Sequence, residues 1–123
     1  MYRLMVESGF AAAHQLKEYE GKCEGLHGHN WRVQVMVKTD RLNDIGLGID
    51  FKVLKDILNG ILAELDHTFL NDKAPFNIKN PSSENLASYI FDEFGKRLKE
   101  PSVDLDCVRV WESATAFAQY DSE

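Results

Sequence analysis

The chain has 123 residues, of which 44% are hydrophobic and 28% are charged, and its formal net charge is −6. This composition predicts one globular domain over residues 1–123 with a single modest core. The scattered Lys and Arg residues argue against a nucleic-acid or anionic-membrane partner, and no apolar run approaches the ~20 residues that span a bilayer.

Two predicted strands open the chain. Apolar and polar residues roughly alternate from Tyr2 to Ala13 and from His29 to Thr39, which is typical of strands with one buried face. One side of the second strand is apolar and consists of Trp31, Val33, Val35 and Val37. We expect the two strands to pair as a hairpin.

Two helices are predicted after the hairpin. Asp50 can cap the first, whose apolar residues recur at three- and four-residue steps: Phe51, Leu54, Leu58, Ile61, Leu62 and Leu65. The second begins near Ser82 or Ser83, ends before Pro101 and has one apolar face: Leu86, Ile90, Phe94 and Leu98. Each helix therefore has one stripe to bury.

Two further strands are predicted in the stretches VDLDCVRVWES and TAFAQYDS. The order of elements is then ββααββ, an α+β fold in which a four-stranded antiparallel sheet carries two helices on one face. The other face and both edge strands need cover. Trp31 and the valines beside it favour a second copy of the chain as that cover.

Three of the four histidines are placed to bind a metal. His27 and His29 point the same way if they lie in a strand, and a hairpin would bring His14 beside them. Three neutral nitrogens with a vacant fourth position are typical of catalytic zinc. Each motif alone has an ordinary explanation, chance for His-x-His and a hydrogen-bonded core residue for His14, but their convergence favours the metal.

The two cysteines are predicted to have different roles. The N-terminal residues lack the pattern of a signal peptide, which predicts a cytoplasmic protein whose cysteines are thiols. Cys23 lies four residues before His27, where a dication would lower its pKa and make it a base or nucleophile, unless it is the fourth ligand and closes the site. Cys107 lies inside a predicted strand and is expected to be a buried core thiol.

Three more residues are candidates for chemistry. Asp66 directly precedes His67, and an acid beside an imidazole can orient it for general acid–base work, although a purely local hydrogen bond is the alternative. Glu112 ends an apolar strand, where its carboxylate either faces solvent or recognises two parallel N–H donors.

Five motifs resemble one known family in order and spacing: FAAAHQL, a cysteine before LHGH, LDHTFLND, NPSSENLA and VWES. This is the 6-pyruvoyl-tetrahydropterin synthase and 6-carboxytetrahydropterin synthase family, and the resemblance covers nearly the whole chain. It implies the tunnelling fold, in which the subunits of a trimer or hexamer pool their sheets into a barrel. Each active site of that fold lies at a subunit interface.

The resemblance also implies a role for each motif residue. These are three Zn²⁺ ligands (His14, His27 and His29), a general base with its proton relay (Cys23, Asp66 and His67) and the pterin-binding residues (Glu112, Ser82 and Ser83). The implied substrate is 7,8-dihydroneopterin triphosphate. Zinc acidifies C–H bonds of its side chain, triphosphate leaves and the ring is reduced by tautomerisation, without nicotinamide or flavin.

The product is predicted from the loop before the His-x-His motif. Only three residues separate Cys23 from His27, which resembles the bacterial 6-carboxy enzymes of queuosine biosynthesis rather than the animal pyruvoyl enzymes. We therefore expect 6-carboxytetrahydropterin and acetaldehyde. The alternatives are a 6-pyruvoyl product, cleavage of the dihydroneopterin side chain for folate synthesis, and a non-catalytic module in which Cys23 completes the zinc site.

Overall fold

The structure, a computed structural model, describes residues 1–17 and 25–123. Its elements in chain order are β1 (Tyr2–His14), β2 (His27–Thr39), α1 (Phe51–Ala63), β3 (Thr68–Phe69), a 3₁₀ helix (Leu70–Asp72), α2 (Ser83–Arg97), β4 (Asp104–Ser113) and β5 (Ala116–Asp121). The predicted order of long elements, ββααββ, is confirmed. Strand β2 begins two residues earlier than predicted, so that it includes His27.

The strands form one sheet in the order β3-β1-β2-β4-β5. The four long strands pair antiparallel, as predicted, whereas β3 runs parallel to β1 beside Ala12 and Ala13. The sheet is therefore mixed and has five strands rather than four. A two-residue strand is too short to show an alternating pattern, which is why the sequence does not predict it.

Helix α1 begins at its predicted cap. The Asp50 carboxylate accepts a hydrogen bond of 2.9 Å from the backbone N–H of Lys52, which satisfies one donor at the helix start. The core-facing residues of the predicted stripe are buried: Leu54, Leu58, Ile61, Leu62 and Leu65. Phe51, in the first turn, departs from the prediction and is 56% exposed.

Helix α2 is capped by Ser82, whose Oγ accepts a hydrogen bond of 3.2 Å from the backbone N–H of Asn85. The predicted face is buried at Leu86, Ile90 and Phe94. The helix packs on β4 and β5, while α1 packs on β1. Neither helix of the described residues is long and apolar enough to cross a membrane.

The core lies between the helices and one face of the sheet, and it contains the apolar side of β2. Trp31 and the valines at 33, 35 and 37 are at most 2% exposed within a single chain. The prediction that these residues call for a second copy is therefore wrong, because their side chains alternate toward the helices. The opposite face of β2 is more polar and carries Arg32, Gln34, Met36 and Lys38.

Cys107 is buried, as predicted, but it lies on that opposite face and not in the helix-covered core. It faces Met36 across the β2–β4 pair and lines a small hollow with Met5 and Arg109. Its thiol is free, and burial raises the pKa of that thiol. A thiol with a raised pKa is a poorer nucleophile, which agrees with the predicted structural role of Cys107.

Candidate metal centre and active site

The pairing of β1 with β2 brings three histidines together. His14 lies directly across from His27 in the register of the hairpin, and His29 follows two residues later on the same face. One nitrogen from each ring lies within 4.8 Å of the others, so this cluster could hold a metal ion. The predicted convergence of the three side chains is confirmed.

Hydrogen bonds determine which nitrogen of each ring points into the cluster. His14 Nδ1 lies 2.8 Å from the carbonyl oxygen of Pro81, and His27 Nδ1 lies 2.8 Å from that of Gly25. A carbonyl oxygen only accepts, so in the neutral rings each Nδ1 carries the hydrogen and each Nε2 carries a lone pair. The two Nε2 atoms are 3.1 Å apart. Lone pairs at this distance repel unless a cation lies between them, and zinc binds such neutral imidazole nitrogens.

Trp31 forms an apolar wall of the cluster. Its ring centroid lies 4.9 Å from that of His14 and 5.3 Å from that of His29. The indole N–H donates to the carbonyl of Ala12, and the ring stacks on Phe10. His14 is only 1% exposed. Exclusion of water on this side lowers the local dielectric and strengthens the attraction between the nitrogens and a cation.

Glu112 directs its carboxylate at two nitrogens of the cluster, those of His14 and His29. It lies in β4 where the register with β5 shifts between Trp111 and Ser113, and such irregularities re-aim a side chain. Its Oε2 lies 3.5 Å from His14 Nε2 and its Oε1 lies 3.8 Å from His29 Nε2. The side chain is 38% exposed, so the carboxylate borders both the cluster and the solvent.

Asp66 and His67 lie in the turn between α1 and β3 and are tied to β1. Asp66 Oδ1 accepts a hydrogen bond of 2.9 Å from the backbone N–H of Ala11, and Oδ2 lies 3.0 Å from His67 Nδ1. The Ala11 N–H holds the pKa of the Asp66 carboxyl below its usual value. The ionised carboxylate therefore places the His67 hydrogen on Nδ1 and leaves Nε2 to exchange protons.

The backbone at His67 is also unusual. Its φ is 56°, in the left-handed region that residues other than glycine adopt rarely, and its N–H donates to the carbonyl of Ala11. The imidazole is 82% exposed. Strained residues of this kind cluster at functional sites, so this conformation supports a role for His67 beyond a local hydrogen bond.

Two open clefts are lined by candidate site residues. A cleft of about 500 Å³ is lined by Ser83, Glu112 and strand β5, and one of about 360 Å³ is lined by His29, His67 and small residues of β1 and β2. Ser83 thus shares a cleft with Glu112, whereas the Ser82 hydroxyl caps α2.

Cys23 lies outside the described residues, so its roles as base or as metal ligand stay predictions.

Two asparagines hold the segment after His14, and sequence reasoning missed both. Asn71 accepts from the N–H of Gln15 at 2.8 Å and donates to its carbonyl at 2.7 Å. Asn80 pairs in the same way with Lys17, at 2.9 and 3.0 Å. The two amides imitate a neighbouring strand. The available signal was their position, since LDHTFLND and NPSSENLA both contain one of them.

Known proteins resemble this chain both in sequence and in structure. The sequence model of the family described as 6-pyruvoyl tetrahydropterin synthase matches residues 3–123. A 6-carboxy-5,6,7,8-tetrahydropterin synthase from Synechocystis sp. is 41% identical over 128 residues, which cover 99% of this chain and 95% of that relative. A dihydroneopterin monophosphate aldolase from Pyrococcus furiosus is 34% identical over 110 residues and matches 89% of each chain.

Among solved structures, a 6-pyruvoyl tetrahydropterin synthase from Caenorhabditis elegans superposes with a TM-score of 0.86. The match covers 99% of this chain and 96% of that chain at 23% sequence identity. This similarity concerns the fold alone, and it confirms the predicted fold of the single chain, whereas its assembly into a barrel stays a prediction.

Proposed function

Because the chain belongs to the 6-pyruvoyl tetrahydropterin synthase family, we propose that it is a zinc-dependent lyase acting on 7,8-dihydroneopterin triphosphate. The products are 6-carboxy-5,6,7,8-tetrahydropterin, acetaldehyde and triphosphate. The observation that carries this proposal is the approach of the His14 and His27 Nε2 atoms to 3.1 Å beside Glu112. The similarity to the Synechocystis 6-carboxy synthase supports the choice of product.

The histidine cluster holds the metal in this proposal. His14, His27 and His29 supply three neutral nitrogens, and the carbonyls of Pro81 and Gly25 hold two of the rings in orientation. Zinc, when bound there, supplies a Lewis acid that acidifies C–H bonds next to the hydroxyl groups of the substrate side chain.

Proton transfer falls to Cys23 and to the Asp66–His67 pair. Asp66 keeps the His67 ring in the tautomer whose Nε2 accepts a proton, and it stabilises the imidazolium that forms. Cys23 acts as the second proton-transfer group, since a nearby dication lowers the pKa of a thiol. The high exposure of His67 supports this assignment, because the ring can reach a bound molecule.

Pterin recognition falls to Glu112 and the start of α2. Two carboxylate oxygens match the parallel N–H groups of a 2-amino-4-oxo pyrimidine edge. Ser83 lines the same cleft as Glu112, and Ser82 contributes by placing the N-terminus of α2 there.

We further propose that the chain works in the cytoplasm as a trimer or hexamer with active sites at subunit interfaces. Within one chain the candidate residues are divided between two clefts, because Glu112 and Ser83 line one of them and His67 lines the other. An active site at a subunit interface would combine such clefts from neighbouring chains. Among the described residues, β3 and β5 are the edge strands of the sheet, and edge strands can pair with a neighbour. Light scattering on the purified protein tests the assembly, and a monomer at working concentration contradicts it.

A second candidate function is aldol cleavage of a dihydroneopterin side chain. The similarity to the Pyrococcus furiosus aldolase favours it, and the same metal and proton-transfer groups serve that reaction. The two activities differ in their products, because an aldolase leaves a hydroxymethyl group on the pterin ring and does not reduce the ring.

Identification of the product tests the proposed function. The zinc-loaded protein is incubated with 7,8-dihydroneopterin triphosphate, and the pterin is identified by mass spectrometry. A 6-carboxy product with acetaldehyde supports the proposal. A 6-pyruvoyl product assigns the chain to the other branch of the family, a hydroxymethyl product supports the aldolase, and no turnover contradicts all three. Zinc retention by Cys23→Ala, with loss of turnover, excludes a closed binding module.

A further inference from the structure

The position of Glu112 has a consequence that its role in pterin binding does not explain. A carboxylate that only anchors a pterin ring has no reason to lie against the metal ligands themselves. Yet each of its oxygens faces the Nε2 atom of a different histidine, at 3.5 and 3.8 Å. Among the residues that the structure describes, one carboxylate thus borders the cluster of three imidazoles.

Two distances among these atoms are close to those between neighbouring ligands of a zinc ion. Zinc–nitrogen and zinc–oxygen bonds of about 2.0–2.2 Å place neighbouring ligand atoms about 3.4 Å apart in a tetrahedron. The His14–His27 pair is at 3.1 Å and the two Glu112 contacts are at 3.5 and 3.8 Å. The separations of His14 Nε2 from His27 Nε2 and from Glu112 Oε2 thus lie close to the expected length, while the second carboxylate oxygen, Oε1, faces His29.

We propose that Glu112 is the fourth ligand of the metal in the substrate-free protein. This inference rests on the metal site of the proposed function. The shift of register at Glu112 supports this assignment. Such a shift changes the direction of a side chain, and here the carboxylate points toward the histidines. A fourth protein ligand keeps the metal closed to water and to adventitious ligands until substrate arrives.

Substrate binding must then remove Glu112 from the metal. The 2-amino-4-oxo edge and the C6 side chain lie at opposite ends of the pterin ring system. A ring anchored on a metal-bound carboxylate would therefore hold its reacting side chain away from that metal. With a metal bound, paired N–H donors would draw Glu112 away from it, and the position that Glu112 held would be available to the side-chain oxygens. The carboxylate thus makes opening of the metal depend on recognition of the pyrimidine edge.

Cobalt substitution tests this inference without reference to turnover. Co²⁺ replaces zinc in the purified full chain, and its visible absorption reports the number and type of ligands. We expect a tetrahedral spectrum in the wild type, and in Glu112→Gln a changed spectrum with cobalt affinity at least about tenfold weaker. Asp104→Asn, which removes a carboxylate from the other end of β4, is the matched control and should leave both unchanged.

A pterin without a C6 side chain tests the opening step. It should change the cobalt spectrum of the wild type by drawing Glu112 off the metal, and it should leave the spectrum of Glu112→Gln unchanged. Identical spectra and affinities for wild type and Glu112→Gln overturn the inference and leave the metal site intact. A thiolate charge-transfer band that disappears in Cys23→Ala also overturns it, because Cys23 is then the fourth ligand. Failure to bind cobalt or zinc overturns the metal site as well.

Discussion

The Asn71→Ala substitution tests how the chain next to His14 is held. The Asn71 amide makes two hydrogen bonds of 2.7 and 2.8 Å with the backbone of Gln15, and Asn71 is 5% exposed. Loss of a hydrogen-bond partner in a buried position costs about 1–3 kcal/mol for each group. We therefore expect the free energy of unfolding to fall by about 2–4 kcal/mol, measured by urea denaturation.

Asn80 provides the matched control for this prediction. Asn80→Ala removes the same pair of bonds, from Lys17, at a site that water reaches, so we expect a loss of about 1 kcal/mol or less. Asn71→Asp keeps the size and the acceptor but places a carboxylate oxygen against the Gln15 carbonyl, and it should destabilise at least as much as Asn71→Ala. Equal losses for the two alanine variants, or a stable Asn71→Asp variant, would refute the argument from burial.

Three further predictions concern a helix cap, a titrating acid and a metal ligand. Asp50→Ala removes the cap of α1 and should lower the unfolding free energy by about 1 kcal/mol in urea denaturation, whereas an unchanged midpoint would contradict it. The pKa of Asp66 is lowered in the folded protein, so its carboxylate stabilises the fold at any pH above the pKa of the unfolded chain, near 3.8. This stabilisation is lost as the pH falls through the lower pKa of the folded state. The gap in Tm between wild type and Asp66→Asn should therefore be present at neutral pH and shrink at about pH 3; a constant gap would count against it. His29→Ala should weaken zinc binding by about 100-fold or more in competition with a chromophoric chelator, while Asp104→Asn keeps the wild-type affinity.

The histidine cluster could be predicted from the sequence because it depends on local rules. Alternation places His27 and His29 on one face, and a hairpin brings His14 across from them. The caps at Asp50 and Ser82 follow from similar short-range chemistry. These features depend only on residues near each other in the sequence, or on one strand pairing.

The contacts around the cluster could not be predicted in the same way. Glu112 reaches His14 because β4 pairs with β2 and shifts register against β5. No local sequence pattern predicts either the pairing or the shift. The same holds for the Pro81 carbonyl, which meets His14 across 67 positions of the chain. The side of the sheet to which Trp31 belongs was misjudged because alternation defines two faces but does not say which one the helices cover.

The dependence of turnover on one metal ion tests the central claim most directly. Chelator-treated, metal-free protein is assayed with 7,8-dihydroneopterin triphosphate while zinc is added in known amounts. We predict no turnover without metal and full recovery at one zinc per chain in the wild type, with no recovery at that ratio in His29→Ala. Full turnover by the metal-free protein, or equal recovery in His29→Ala, would contradict the assignment of the histidine cluster as the catalytic metal centre.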